Sequence, residues 1–424
     1  MVIQMTRNAK YIDQIYGDNE DLIVRKIDYI NNTIYVYYFE SLCDTKNVYD
    51  YITKNIFENL NFITDNIENL ISSPKLKKIK DIKEGINLLE NGFSLILYKN
   101  LIYAVETKAN IDRGITLSQT EQNLYGPKDS FCENYQKNLG TIKRRIKTHK
   151  FKSKNIIIGT NTKTNISILY ISDLIDKNDL KYIENKLQML HDNLTDSSNI
   201  YNILNNDKLF PTILKTEKPS NTAEYILNGY IVLLIDNYPF TLILDAKLKD
   251  FINPVSNDKF LYLLRLSCLI MTIITPGIYI AMTNYNPETI PTSLLINFAF
   301  QRHGVPFPSF IEASIMLFVC EILRETDIRF PNAYGSAASI LGALILGDAA
   351  VNAGIVSPIM IIVVAITFIT NLLFTQVKFI EALRVLRFLC LIVGAALGLY
   401  GIALFSILVI AYLANIETMK GSYL

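Results

Sequence analysis

A charge set inside a long apolar stretch is costly unless it has a partner or a task, so such residues are where this sequence could do chemistry. Residues 330–377 hold one charge in 48 positions, Asp348, with Asn352 a helical turn later. The stretch 309–328 is mostly apolar at first yet carries Glu312, Glu321, Arg324 and Glu325. Glu321 and Arg324 are three apart and can pair on one helix face. Glu312 and Glu321 are nine apart, which at ~100° per residue puts them on roughly opposite faces. A central charge in a membrane helix costs ~2.5–3.5 kcal/mol, so these groups should face protein, water or the interface. The 309–328 stretch reads as an amphipathic or partly inserted helix, with a structural ion pair at a membrane surface as the plain alternative.

Other constellations are weak. His149, His191 and His303 are the only histidines and lie far apart, which argues against a histidine metal site. The five cysteines, Cys43, Cys132, Cys268, Cys320 and Cys390, form no CxxC pair and suit free thiols in a reducing compartment. Gly159-Thr160-Asn161-Thr162-Lys163-Thr164 superficially resembles a phosphate loop but lacks the second glycine and the following helix; a hairpin turn explains it better. No catalytic constellation stands out, so neither an enzyme nor a bound cofactor is expected. With 41 basic and 40 acidic side chains, nucleic-acid binding is not expected either.

The elements that must position these groups fall into two halves. Only 8 of the basic and 8 of the acidic residues lie beyond Leu261. Before that point the sequence alternates strand and helix patterns. Thr33–Phe39 is β-branched and aromatic. Ile52, Ile56, Leu60, Ile63 and Ile67 form a helical stripe. Hairpins are expected for Ser94–Tyr98 with Leu101–Val105, Asn155–Ile158 with Asn165–Tyr170, and Tyr230–Ile235 with Phe240–Leu244. Residues 110–125 read as a connector, Pro127 as the opening of a helix to about Ile146, and Asn178–Leu190 as an amphipathic helix. Lys143-Arg144-Arg145-Ile146-Lys147, with Lys150, Lys152 and Lys154, is basic enough to touch anionic lipid; a solvated helix end is the plainer reading. No apolar leader precedes this half, so it is expected on the cytoplasmic side.

Beyond Leu261 the pattern is that of membrane helices. Leu266–Pro287 is free of charge over 22 residues, enough for a ~30 Å core, and Arg265 marks its cytoplasmic end. Gly354 and Pro358 break the 330–377 block into two helices. Phe388–Ile416 is uncharged and too long for one untilted span. Lys378, Arg384 and Arg387 mark a cytoplasmic loop between these blocks. Gly335, Ser339, Ala343 and Gly347, and the pair Gly394 and Gly398, form small-residue stripes that permit close helix contact. The fold expected is thus an α/β cytosolic N-terminal region in two subdomains (1–110 and 111–255) plus an α-helical transmembrane bundle (256–424).

Short motifs add a resemblance. Pro276-Gly-Ile-Tyr279, Asn286-Pro-Glu-Thr-Ile-Pro291, Gln301-Arg-His-Gly-Val-Pro-Phe-Pro-Ser-Phe-Ile-Glu312, Glu321-Ile-Leu-Arg-Glu325 and Gly347-Asp-Ala-Ala-Val-Asn-Ala-Gly-Ile-Val-Ser-Pro358 occur in order. Tyr125-Gly-Pro-Lys-Asp-Ser-Phe131 and Ile142-Lys-Arg-Arg-Ile146 precede them. Together, from about Gly92 to Ala414, they are similar to the GerA-type spore-germination receptor A-subunit family, which the stage V sporulation AF protein also resembles. Asp348 stands where that family usually has Gln, and Thr326-Asp327 where it has Ala-Gly. The resemblance implies a subunit of a nutrient-sensing receptor in the spore inner membrane. Its expected partners are a transporter-like B subunit holding the germinant, a C lipoprotein, membrane lipid and further copies of itself in a cation-conducting oligomer. In that setting Asp348 and Asn352 become pore or gate groups, Glu321, Arg324 and Glu325 a gating or subunit-contact cluster, and Glu312 a secondary candidate.

Overall fold

The computed structural model describes the chain except residues 1, 18, 30–31, 60–66, 74, 100, 110–126, 191–197, 254–257, 330–346 and 420. Its contacts divide into two compact units: residues 1–205 with 213–245, and residues 206–212 with 246–424. The 110–125 connector and most of the stripe at Gly335, Ser339 and Ala343 lie outside the described residues.

The first unit is built from one pattern used twice. Helix α1 (Val2–Tyr16) leads into β1 (Leu22–Tyr29) and β2 (Asn32–Phe39). Helices α2 (Thr45–Val48) and α3 (Lys54–Glu58), joined by a π turn, are followed by β3 (Leu76–Ile79), α4 (Ile82–Leu89), β4 (Phe93–Tyr98) and β5 (Leu101–Glu106). The antiparallel sheet runs β1-β2-β4-β5-β3. A second pass brings α5 (Tyr135–Arg145), β6 (Phe151–Ile158), β7 (Thr164–Ile171), α6 (Lys177–Gln188) and α7 (Ser198–Leu204). Then come β8 (Leu214–Thr216), α8 (Pro219–Leu227), β9 (Val232–Ile235) and β10 (Thr241–Ile243). This sheet runs β6-β7-β9-β10-β8, the same order.

Both faces of the first sheet are buried, which is why its central strands read as continuous apolar runs. Tyr37, Phe39, Leu95 and Leu97 pack with Ile12 and Tyr16 of α1 and Ile86 and Leu89 of α4. Their neighbours Ile34, Val36, Ile96 and Tyr98 point the other way, onto Val48, Ile52 and Ile56, as period-two alternation requires. The three expected hairpins form, and the phosphate-loop lookalike is the β6–β7 turn. The helix expected from Pro127 begins only at Tyr135. Asn134, its N-cap, accepts a hydrogen bond from the Lys137 N–H, and upstream Phe131 N–H donates to Glu217 O.

The second unit is helical. It contains α9 (Leu248–Ile252), α10 (Lys259–Asn284), α11 (Thr292–Arg302), α12 (Ser309–Arg329), a turn and a half of helix at 347–352, α13 (Pro358–Asn371) and α14 (Val377–Ala414). Two-residue strands β11 (Glu417–Thr418) and β12 (Gly421–Ser422) follow. Among the described residues α10 and α14 are long and apolar enough to cross a membrane, and each leaves most of its apolar window uncovered by the chain itself. Lys378, Arg384 and Arg387 lie within α14, not in a loop, because Phe379, Ile380, Leu383 and Leu386 give that segment a buried helical stripe.

Helix α14 does not run straight. Gly398 takes φ 62° and ψ −149°, a conformation closed to residues with a side chain. The Phe210 ring lies 6.3 Å from the rings of both Phe379 and Tyr412, which 33 residues of straight helix would hold ~50 Å apart. The run is therefore a helical hairpin with arms 377–397 and 399–414. Reversal strips carbonyls of the first arm of their helical partners, and the Tyr285 hydroxyl donates to two of them, Ala395 O (2.8 Å) and Ala396 O (2.9 Å). A side chain at Gly398 would meet the Tyr285 ring at 3.1 Å, whereas one at Gly347 meets nothing closer than 3.9 Å. Gly398→Ala should lower the melting temperature of the detergent-purified chain, at a cost of about 1–3 kcal/mol, while Gly347→Ala should leave it unchanged.

Candidate functional site

The polar groups singled out in the helical sequence separate into three places. Glu312 is completely buried. Its Oε1 accepts hydrogen bonds from the Ser357 N–H (2.6 Å) and the Ser357 hydroxyl. Ser357 is the N-cap of α13, with Pro358 at the first helical position, so the carboxylate sits at the positive end of a helix dipole. Its other oxygen has no hydrogen-bond partner, and the buried Tyr279 hydroxyl lies within electrostatic reach of Glu312. The arrangement ties α12 to α13 through a buried charge.

Glu321 lies three turns along α12. Its Oε1 accepts from Arg387 Nη2, and Oε2 stands 2.7 Å from Arg384 Nη2, close enough for an ion pair but off hydrogen-bond geometry. Both arginines belong to the first arm of α14, so the carboxylate joins two helices. The within-helix pair expected with Arg324 is not what organises it, although Arg324 lies within electrostatic range of Glu321, Arg384 and Arg387. Glu325, on the same helix, is exposed. Sequence reasoning missed Arg384 and Arg387 as partners. The available signal was their three-residue spacing immediately before an uncharged run.

Asp348 and Asn352 lie on the short helix 347–352, and both are exposed in the single chain. The structure therefore brings Glu321 and Arg324 together, sets Glu312 at a separate helix cap, and leaves Asp348 and Asn352 facing outward.

In the first unit the basic run is largely spent internally. Lys143 and Asp21 form a buried ion pair, Asp21 also accepting from the Ser41 hydroxyl at 2.6 Å. The Lys143 ammonium sits 4.0 Å over the Phe39 ring. Burial pulls the Lys143 pKa down, against the opposing pull of Asp21. Arg145 pairs with Asp129 at 2.6 Å and Lys154 with Glu184 at 2.8 Å. Alongside this seam lies a cavity of about 290 Å³ lined by Glu90, Asn91, Lys108, Arg144 and Lys147 among others. Lys147 closes part of it by donating to Asn91 Oδ1 at 2.8 Å. A volume at the small end of ligand pockets with a mostly cationic rim suits a small polar molecule carrying negative charge. Among the described residues no group of three His, Cys, Asp or Glu could hold a metal.

The Glu312 cap makes a graded prediction. Glu312→Ala leaves the Ser357 N–H buried without an acceptor and should destabilise the chain by about 1–3 kcal/mol. Glu312→Gln keeps an acceptor and should cost less. Thermal unfolding of the detergent-purified chain compares the two.

Comparison with known proteins shows the family. A sequence model described as the Bacillus/Clostridium GerA spore germination protein matches residues 10–424, so the likeness extends into the first 90 residues, where no single motif stood out. The chain is 30% identical to spore germination protein KA of Bacillus subtilis (strain 168), covering 99% of this chain and 81% of that one. It is 30% identical to spore germination protein GerQA of Bacillus cereus, over 97% and 85%. It is 27% identical to the uncharacterized membrane protein YfkQ of Bacillus subtilis (strain 168), over 95% and 82%. A crystal structure of the N-terminal domain of the A subunit of the Bacillus megaterium spore germinant receptor GerK3 matches with TM-score 0.43 and 22% identity, covering 60% of this chain and 96% of that one. Matched along nearly its whole length, from the paired sheets to the helical hairpin, the chain belongs to the GerA family of spore germination proteins.

Proposed function

We propose that this chain is the A subunit of a spore germinant receptor, a non-enzymatic membrane protein that couples nutrient sensing to ion release. The observation that carries the reading is the family match across both units, joined to helices whose apolar surface the chain leaves uncovered. The subunit is multi-pass, sits in the spore inner membrane with its α/β region cytosolic, and works with B and C subunits and further copies of itself. Germinant binding on the complex shifts a closed-to-open equilibrium, which requires tighter binding to the open form. Asp348 and Asn352 serve the ion path or its gate: exposed on one chain, they are free to face a shared axis, where a ring of carboxylates favours cations. Glu321, Arg324 and Glu325 form the gating or subunit-contact cluster, with Glu312 supporting it from the α13 cap.

A second reading, a non-conducting scaffold for the germination complex, is favoured by one feature. Glu312 and Glu321 are engaged inside the chain, as structural polar groups would be. Charge-selective flux from the purified protein in vesicles separates the two. Asp348→Asn should lower cation-over-anion permeability without disturbing assembly; unchanged flux and selectivity would move the path away from Asp348.

Orientation has its own test. Cys43 is buried and its thiol pushed up to about 11, chiefly by burial, so it should resist reagents on either side of a membrane. Cys132 is only half-buried. On sealed cells an impermeant thiol reagent should modify Cys132 only after permeabilisation, and Cys43 only after denaturation. Prompt labelling of Cys132 would place the α/β region outside.

A further inference from the structure

Among the described residues the arginine cluster on α12 and α14 is short of negative charge. Glu321 is the one carboxylate that Arg384 and Arg387 contact in the ion pairs described, and Arg324 adds a third guanidinium within electrostatic range. Glu381 is held by Lys378 at 2.9 Å. Glu381 also lies in electrostatic range of Arg324, so among the described side chains Arg324, Arg384, Arg387 and Lys378 face Glu321, Glu325 and Glu381, an excess of one positive charge.

The hydrogen-bond inventory points the same way. Arg324 Nη1, Arg384 Nε and Arg387 Nε are buried donor atoms without an acceptor, and the Arg387 side chain is only 3% exposed. A guanidinium carries five N–H donors in a rigid fork that matches phosphate and carboxylate geometry. Leaving charged donors buried and unpaired costs more than leaving neutral ones. The Arg384 side chain, at 36% exposure, gives the cluster an opening.

Position narrows the missing acceptor. Helix α10 and the first arm of α14 run parallel: Gly277 meets Cys390 and Gly394, and Tyr285 meets Gly398 further along both. Their N-terminal ends, carrying Arg265 and Lys378, therefore lie at the same end of the bundle. Arg387 is the last charged residue before the uncharged run 388–416. Arg384, three residues before it and 36% exposed, lies nearer the polar ends of both helices.

We propose that Arg324, Arg384 and Arg387 form a binding site for a phosphate group, with Glu321 holding the arginines in register. The phosphate can come from an anionic phospholipid headgroup or from free inorganic phosphate; both present the same oxygens to the fork. The site does not require that the protein conduct ions.

The test uses the full chain purified in detergent, alongside Arg384→Gln and Glu321→Gln. In one arm the protein is exchanged into vesicles of phosphatidylcholine with or without phosphatidylglycerol, and the lipid retained on re-extraction is measured by native mass spectrometry. In the other, melting in detergent is followed with inorganic phosphate against chloride at matched ionic strength. Selective retention of phosphatidylglycerol, reduced about tenfold in Arg384→Gln and kept or increased in Glu321→Gln, supports a headgroup site. A rise in melting temperature with inorganic phosphate that Arg384→Gln abolishes supports the site with free phosphate as its source. This arm stands even if the chain does not enter vesicles, so failure of the membrane reading is separable. Absence of both effects in a folded chain, or effects equal in Arg384→Gln, overturns the proposal.

Discussion

In the helical unit two helices meet backbone to backbone. A side chain at Gly394 would lie 2.8 Å from Gly277 O, and one at Gly277 would lie 2.9 Å from the Cys390 sulfur and 3.0 Å from its carbonyl. Backbone cannot yield as a flexible side chain can, so both positions are restricted to glycine by contact. This approach fixes α10 beside the first arm of α14 and brings Tyr285 over Gly398, where the chain reverses. The network of Glu321 with Arg384 and Arg387 then joins a third helix, α12, to the first arm of α14.

The α/β unit rests on a different balance. Its two sheets share one strand order, and their cores are apolar, yet a charged pair, Lys143 with Asp21, is buried between the subdomains that carry them. Desolvating two ions costs several kcal/mol each, and attraction recovers this only with good geometry and further hydrogen bonds. Ser41 and the Phe39 ring supply those supports. The pair joins α5 to the start of β1, and removing one partner would leave an uncompensated buried charge. The adjacent basic-rimmed cavity inherits its shape from that docking.

The polar residues of the helical unit show how burial divides one chemical type among several roles. Glu312 caps a helix from another element, Glu321 bridges two arginines, and Asp348 stays exposed. All three are carboxylates in apolar sequence, and each environment gives its charge a different counterpart: a helix dipole, guanidiniums, or solvent.

Sequence alone determined the division into a charged α/β half and an apolar helical half, the three hairpins and the family. These follow from local signals: alternation of period two, turn residues between apolar runs, charge density, and short motifs in a fixed order. Tertiary structure decided what lies across the chain. Whether Glu321 pairs with Arg324 three residues away or with Arg384 and Arg387 more than sixty away depends on which helix packs against α12. The start of α5 at Tyr135 was set by the Asn134 cap and by backbone bonding of the preceding segment to Glu217, not by Pro127. The uncharged stretch 388–416 read as too long for one span, but its solution, a reversal at Gly398 capped by Tyr285, required knowing which hydroxyl stands beside the freed carbonyls. Local pattern fixes what a segment can be, and partners distant in sequence fix which neighbour satisfies its charges and its backbone.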